Sequence, residues 1–268
     1  MEFRTFVHKV TGITLDESRS SMLVGRIRKR VIELELKDYE SYLQLVKSNR
    51  DEETRFTTLI TTNETYFYRT PRVWDFIENE FLPKHFQDES KKVKIWSAAA
   101  STGDEAHTLG IVCEDFRSKN PAFGYSVLGT DISEKVINKA NQGVYKGRPT
   151  QRFRDTRPDL FQKYMIGSDS EGFRVNPEIK FQIRFKIHNL FQALSGEQKF
   201  DLVLLRNVLI YFSKRDQELV LQNIRKVLSP KGYLIIGESE SLNRLDTPFE
   251  PVKPLIYRPA LKDEREAA

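Results

Sequence analysis

Acidic side chains stand where a nucleotide-binding turn would show glycines. In KIWSAAASTGDEAHTLGIVCEDF, Lys94 to Phe116, a short apolar run enters a turn of small residues and a helix-like pattern leaves it. That turn holds a single glycine, Gly103, followed at once by Asp104 and Glu105. A third acid, Asp131, ends the next apolar run, YSVLGTD. A carboxylate there can accept both hydroxyl hydrogens of a ribose; taken alone, it reads equally well as the N-cap of a helix SEKVINKA. The chain has no G-x-G-x-x-G, so a pyrophosphate lying against a helix N-terminus is disfavoured. Nor does it have G-x-x-x-x-G-K-[ST], which argues against a P-loop nucleotide triphosphatase. Carboxylates repel phosphate and suit a ligand that carries positive charge. S-adenosylmethionine is such a ligand, with a ribose, an ammonium, a sulfonium and no phosphate. The helix macrodipole explains an acid in the first turn of a helix, but it does not explain the missing glycines. His8, His85, His107 and His188 are scattered without metal-ligand spacing, so no metal site is expected.

The elements that must position these groups alternate from about residue 91. KVKIWSA, YSVLGTD, IRFKIHNL, DLVLLRN and YLIIGESE read as strands. DEAHTLGIVCEDF, SEKVINKANQGVY and KRDQELVLQNIRKVL read as helices, and SPKG as a turn. DLVLL and YLIIG are continuously apolar, as when helices cover both faces of a parallel sheet. The expected class is therefore α/β, a doubly wound sheet whose ligand lies beyond the carboxyl ends of the strands, where strand order reverses. Residues 1–60 read as helical. SSMLVGRIRKRVIELEL places Leu23, Ile27, Val31 and Leu34 on one stripe, and DYESYLQLV forms a short helix with Asp38 as its N-cap. RVWDFIENEFLP reads as an amphipathic helix closed by Pro83. Within residues 146–186 the alternation breaks, and GFRVNPEIKFQIRFKI looks like short antiparallel strands inserted into the sheet domain. The organisation expected is a helical domain and linker over 1–70, then an α/β domain over 71–268 that carries the insert.

Bulk properties bound the rest. A chain of 268 residues suffices for one large domain or two modest ones. With 30% charged and 39% hydrophobic residues it fits a soluble globular protein, and no apolar run approaches the ~20 residues of a membrane span. The N-terminus lacks a signal-peptide layout, and Cys113 is the lone cysteine, so a reducing, cytoplasmic setting is expected. A net charge of +5 permits an acidic partner but points only weakly to nucleic acid. The basic residues cluster between Ser18 and Ile32, where Arg19, Arg26, Arg28, Lys29 and Arg30 occur without an acid. At about 100° per residue, Arg19, Arg26, Lys29 and Arg30 share a face beside the apolar stripe. The plain alternative is a solvated helix surface.

Five segments, TTNETYFYR, WSAAASTGDE, GTDIS, HNL and LLRNVLIYF, occur in an order and spacing that resemble the CheR family, the chemoreceptor glutamate methyltransferases of bacterial chemotaxis. The resemblance runs from about Phe3 to about Tyr257. It implies a methyltransferase sheet domain with a small all-helical N-terminal domain and an inserted antiparallel β-subdomain. It also implies S-adenosylmethionine as cofactor, S-adenosylhomocysteine as product, and the methylation helices of chemoreceptors as partners. A cytoplasmic monomer is expected, without nucleic acid or membrane insertion. By position, Asn63, Thr65 and Arg69 match polar residues of a segment that closes over the cofactor. Glu105 matches an acid facing the methionine part, and Asp131 matches the ribose-binding acid. Asn189 with Leu190, and Asn207 with Val208, match contacts around the adenosine and methionine. Arg69 and Tyr211 match groups near the transferring methyl and the substrate carboxylate. The basic helix, with Arg19, Arg26, Lys29 and Arg30, matches the family's receptor-docking helix.

Some positions depart from the family pattern. GDEAHT replaces the usual GEEPYS, which alters Asp104, Ala106 and His107, and a structural role is expected for His107. Tyr68 stands where phenylalanine is common, and a retuned pocket lining is expected from it. In some members the β-subdomain binds a receptor-tail peptide by strand addition, but here the turn MIGSDSEG is shorter by roughly three residues, so weak or absent tethering is expected. Two other readings keep the cofactor. An RNA or small-molecule methyltransferase would need aromatic stacking residues beside the basic face, and the sequence shows none there. A noncatalytic S-adenosylmethionine-sensing module would have no use for Arg69 and Tyr211.

Overall fold

A computed structural model describes residues 2–14, 17–61, 63–88, 91–194, 196 and 199–260, with side chains described from residue 4 onward except those of residues 17–22 and 88. Among the described residues four helices come first: α1 (Glu2–Thr11), α2 (Glu17–Glu33), α3 (Tyr39–Ser48) and α4 (Arg50–Ile60). Asp38 caps α3 by accepting the Ser41 N–H, as its sequence position suggests, and Asn49 caps α4 the same way. The stripe Leu23, Ile27 and Val31 is buried with Val7, Tyr42, Val46 and Phe56. These side chains merge with Trp96, Ala98, Val203, Leu205, Leu234 and Ile236 into one continuous core, so the helices pack directly on one face of the sheet.

Helix α5 (Pro71–Phe76) runs through a π-helical turn, Ile77–Phe81, into α6 (Leu82–Asp88). Pro83 therefore does not close the helix as expected. The Leu82 N–H reaches back to the Ile77 carbonyl, and this widened turn makes room for the proline ring and its missing donor.

Among the described residues ten strands form two sheets: β1 (Lys92–Ala98), β2 (Gly124–Asp131), β3 (Val144–Tyr145), β4 (Met165–Ser168), β5 (Gly172–Val175), β6 (Ile183–Ile187), β7 (Phe200–Leu205), β8 (Leu228–Ile236), β9 (Phe249–Lys253) and β10 (Ile256–Pro259). The large sheet has the order β6-β2-β1-β7-β8-β10-β9, and the small one β3-β5-β4. From β6 to β8 the neighbours are parallel; β10 and β9 turn antiparallel. Helices α7 (Asp104–Lys119), α8 (Glu134–Gln142) and α12 (Lys214–Val227) follow β1, β2 and β7, and the chain crosses from one side of β1 to the other between β6 and β7. The face opposite the N-terminal helices buries Val93, Ile95, Val127, Leu202, Leu204 and Ile235, so alternate residues of each central strand enter different cores.

The insert holds α9 (Arg148–Thr156), α10 (Pro158–Tyr164) and the small antiparallel sheet, followed by α11 (Pro177–Phe181). GFRV lies in that sheet as expected, but IRFKI does not. Ile183–Ile187 pairs in parallel with Val127–Asp131 as the edge of the large sheet. An edge strand covered on one face alternates polar and apolar residues just as a hairpin does, so its pattern misled. SPKG lies within β8 at a shift of register and does not separate two elements, because Phe200 pairs with Leu228 while Leu202 pairs with Tyr233.

Candidate active site

A cleft opens beyond the carboxyl ends of β1, β2, β6 and β7, at the point where strand order reverses. Its floor is the turn after β1. Ala99 (φ 68°), Ser101 (φ 51°) and Gly103 (φ 90°) all take left-handed backbone angles, which are costly for the first two residues. The curl brings the Ser101 N–H to Asp131 Oδ2 at 3.0 Å, while the Ser133 N–H donates to Oδ1 at 2.9 Å. Each carboxylate oxygen keeps a further acceptor position for a hydroxyl. The residue at the start of α8 is Ser133, so Asp131 organises the turn and does not act as that helix's N-cap. Burial raises the Asp131 carboxyl above its usual range against the pull of these N–H donors.

The acidic pair after Gly103 divides. Glu105 faces the cleft, accepting the Arg206 Nη1–H at 3.0 Å and the Ser97 hydroxyl at 2.7 Å. Asp104 turns away from it, 1% exposed, and accepts the Thr102 hydroxyl at 2.6 Å. Burial pushes its carboxyl up to about 6. Only one acid of the pair can therefore face a cationic ligand, and it already shares its charge with Arg206. Sequence reasoning passed over Arg206, although a lone cation at the end of the apolar run LLRN was a usable signal. Its guanidinium also donates to the Arg69 carbonyl at 2.7 Å, joining the turn after β7 to the segment that crosses the cleft.

Asn207 and Val208 line the cleft from a loop held by Glu240. That buried carboxylate accepts the N–H groups of Asn207, Val208, Leu209 and Gly237, which fixes Asn207 at a left-handed φ of 59°. Glu240 carried no legible signal in the sequence. Tyr211 follows in a 3-10 turn, and its carbonyl accepts the Thr14 N–H at 2.8 Å, which brings Thr11 at the end of α1 and Ile13 just after it to the cleft wall. Asn189 and Leu190 line the side beyond β6, with Asn189 Oδ1 accepting the Phe191 N–H.

Asn63, Thr65 and Arg69 form the opposite wall. The Asn63 carbonyl accepts the Ser101 hydroxyl at 3.0 Å, and Arg69 Nη1 donates to the Glu64 carbonyl at 3.2 Å. All the residues expected around the cofactor, together with Tyr211, thus lie on one cleft. Tyr68 does not. It is buried behind the segment, stacked on Phe153, with a hydroxyl that finds no partner among the described residues, so it leaves the lining unchanged. His107 is fully buried behind the turn, where Nδ1 lies 2.9 Å from the Gly103 carbonyl and 2.7 Å from the Tyr145 hydroxyl. Tyr145 in turn donates to the Thr102 carbonyl.

The basic helix is less open than its sequence implied. Arg30 grips Glu52 with two bonds of 2.9 and 2.7 Å and also reaches Glu33, while Arg26 donates to the Leu59 carbonyl. Arg28 and Lys29 are exposed; the side chain of Arg19 lies outside the described residues.

The donor set fits S-adenosylmethionine: a carboxylate with spare acceptors for a ribose, a second carboxylate for a cation, and a guanidinium beside it for the ligand's own carboxylate. Among the described residues no group of histidine, cysteine and acidic side chains could hold a metal, and no helix is long and apolar enough to cross a membrane. The family model for the CheR methyltransferase SAM binding domain matches residues 63–257, and that for the CheR methyltransferase all-alpha domain matches residues 1–61. The chain is 29% identical over 264 residues to chemotaxis protein methyltransferase 1 of Pseudomonas aeruginosa, spanning 96% of both chains. It is 30% identical over 257 residues to the chemotaxis protein methyltransferase of Salmonella typhimurium, spanning 94% of this chain and 86% of that one. The chain belongs to the CheR methyltransferase family, and its cofactor is S-adenosylmethionine.

Proposed function

We propose that this protein methylates glutamate side chains on the cytoplasmic helices of bacterial chemoreceptors, forming glutamyl methyl esters. The observation that carries this reading is the placement of Arg69 and Tyr211 on the same cleft as Asp131 and Glu105. A guanidinium and a phenol beside a cofactor site suit an anionic acceptor. The names of the relatives, chemotaxis protein methyltransferases, support a receptor as its carrier. When bound, S-adenosylmethionine supplies an electrophilic methyl group, and a glutamate with a pKa near ~4.3 meets it already ionised, so no general base is needed. The chain's own task is alignment. Arg69 offers two parallel donors to a carboxylate, and Tyr211 offers a third. Glu105 and Arg206 hold each other, so neither is free to compete for the acceptor.

Docking uses the exposed part of α2, Arg28 and Lys29, against acidic helices. A receptor-tail peptide is held weakly or not at all, because the hairpin between β4 and β5 is short. The chain works as a monomer. Incubation with radiolabelled S-adenosylmethionine and receptor cytoplasmic fragments tests the reading. Base-labile label on the receptor is expected, since methyl esters hydrolyse in base; base-stable label or none refutes it.

A further inference from the structure

The insert contributes a cation to the rim of the cleft. Arg152, on α9, lays its guanidinium over the Tyr66 ring at 4.3 Å from the centroid, and the Arg69 guanidinium lies 5.7 Å from the same centroid. Tyr66 and Arg69 both line the cleft. The neighbouring arginines of the insert have carboxylate partners. Arg154 pairs with Asp169, and Arg157 pairs with Glu78 and Asp159. Arg152 and Arg148 show no such partner among the described residues. They stand one turn apart on the same face of α9, a like-charged spacing that opposes helix stability. Arg148 also occupies the first turn, which holds no acid and where the macrodipole disfavours a cation. An anionic partner would relieve both effects. A guanidinium held over an aromatic ring still has N–H donors to offer a carboxylate.

We propose that Arg152 binds a second carboxylate of the substrate, one helical turn from the methyl-accepting glutamate, and that Arg148 extends this strip along the same acidic helix. The assignment rests on the glutamate reading above. Side chains three or four residues apart on a helix are neighbours, about 5–6 Å between Cβ atoms. Two guanidinium groups sharing one ring can serve such a pair, with Arg69 on the target and Arg152 on its neighbour.

Two helical peptides test it, identical except for glutamate or glutamine four residues from a single target glutamate. With labelled S-adenosylmethionine and base-labile counting, the wild-type protein is expected to show about tenfold lower KM for the peptide with the second glutamate and a similar kcat for both, as one charge-assisted contact would give. Arg152→Gln should abolish that preference by raising KM for the diacidic peptide, and Arg152→Lys should restore only part of it. The melting temperature and the Kd for S-adenosylmethionine of both variants should match the wild type. Equal KM for the two peptides in the wild type, or an unchanged preference in Arg152→Gln, overturns the role of Arg152 and leaves the glutamate reading standing. Base-stable label, or none on either peptide, overturns both.

Discussion

Asp131 and Arg69 act on the same cleft through different atoms, and substitutions should separate them. Both Asp131 oxygens accept backbone N–H groups, so Asp131→Asn sets an amide NH₂ against one of those donors and also removes an acceptor for the ribose. The expected result is a Kd for S-adenosylmethionine at least tenfold weaker by calorimetry, from about 1.5–3 kcal/mol of lost charged hydrogen bonding; an unchanged Kd would remove Asp131 from the ribose. Arg69 holds the fold chiefly with its carbonyl, which takes the Trp74 and Arg206 donors, while its side chain makes one exposed local bond, to the Glu64 carbonyl. Arg69→Ala should therefore keep its melting temperature within a few degrees while receptor methylation falls at least a hundredfold; near-normal turnover sinks its positioning role. Asp131 was legible in the sequence because a ribose asks for an acid and this one ends a strand, whereas Arg69, which follows no strand, was reached only through the family resemblance. Glu240 was not legible, because its partners Asn207, Val208 and Leu209 lie more than thirty positions away and only the folded chain joins them.

At the scale of elements, the turn after β1 is stiffened from behind by two buried titratable groups with opposite pH responses. Burial holds the His107 imidazole down at about 4 and lifts the Asp104 carboxyl to about 6. The folded chain thus binds fewer protons at His107 than the unfolded chain between about pH 4 and 6.5, so that contribution is complete above 6.5 and lost as pH falls through 4. At Asp104 the folded chain binds more protons between 3.8 and about 6, so that contribution is present at low pH and lost as pH rises through 6. Each is worth roughly 3 kcal/mol at most, and across the shared window they offset. Thermal melts from pH 4.5 to 6.5 should show a steeper rise of stability with pH in Asp104→Asn than in the wild type, and a fall in His107→Phe. Wild-type slopes in both variants would mean that neither group titrates in the fold. The strands and helices were largely legible from periodicity, since buried sheet strands are short and wholly apolar. Pro83, SPKG and the strand Ile183–Ile187 are the exceptions: a widened helical turn accommodates the proline, and pairing in the large sheet decides the other two.

For α2 the same lesson changes what should be mutated. Arg30 is bound to Glu52, which also accepts the Tyr42 hydroxyl, so reversing its charge would place two carboxylates together in a nearly buried site. Arg28→Glu with Lys29→Glu leaves that network whole. Receptor methylation by this double variant is expected to fall several-fold at low salt, with the difference shrinking as salt screens the surface. Equal rates at every ionic strength would move the docking face elsewhere.

Across the whole molecule, the N-terminal helices and the sheet share a core and a cleft wall, which makes a remote glycine relevant to cofactor binding. Gly12 lies between α1 and α2 at a φ of 72°, and a Cβ there would sit 1.9 Å from a ring carbon of Phe191. Phe191 follows Leu190 on the cleft wall, and Gly12 is flanked by the lining residues Thr11 and Ile13. The Thr14 N–H then anchors the loop to the Tyr211 carbonyl. Alanine at position 12 must push the loop and Phe191 apart, costing on the order of 1–3 kcal/mol in strain and repacking. If the helices serve only to dock a receptor, that cost should appear in the melting temperature alone. Because they also wall the cleft, Gly12→Ala is expected to lower the melting temperature and weaken S-adenosylmethionine binding together. Saturating cofactor at a hundredfold its Kd stabilises the wild type by about 2.7 kcal/mol, and at the same concentration the variant should recover visibly less. A full cofactor-induced shift in Gly12→Ala would show that the sheet domain binds S-adenosylmethionine without help from the helices that cover it.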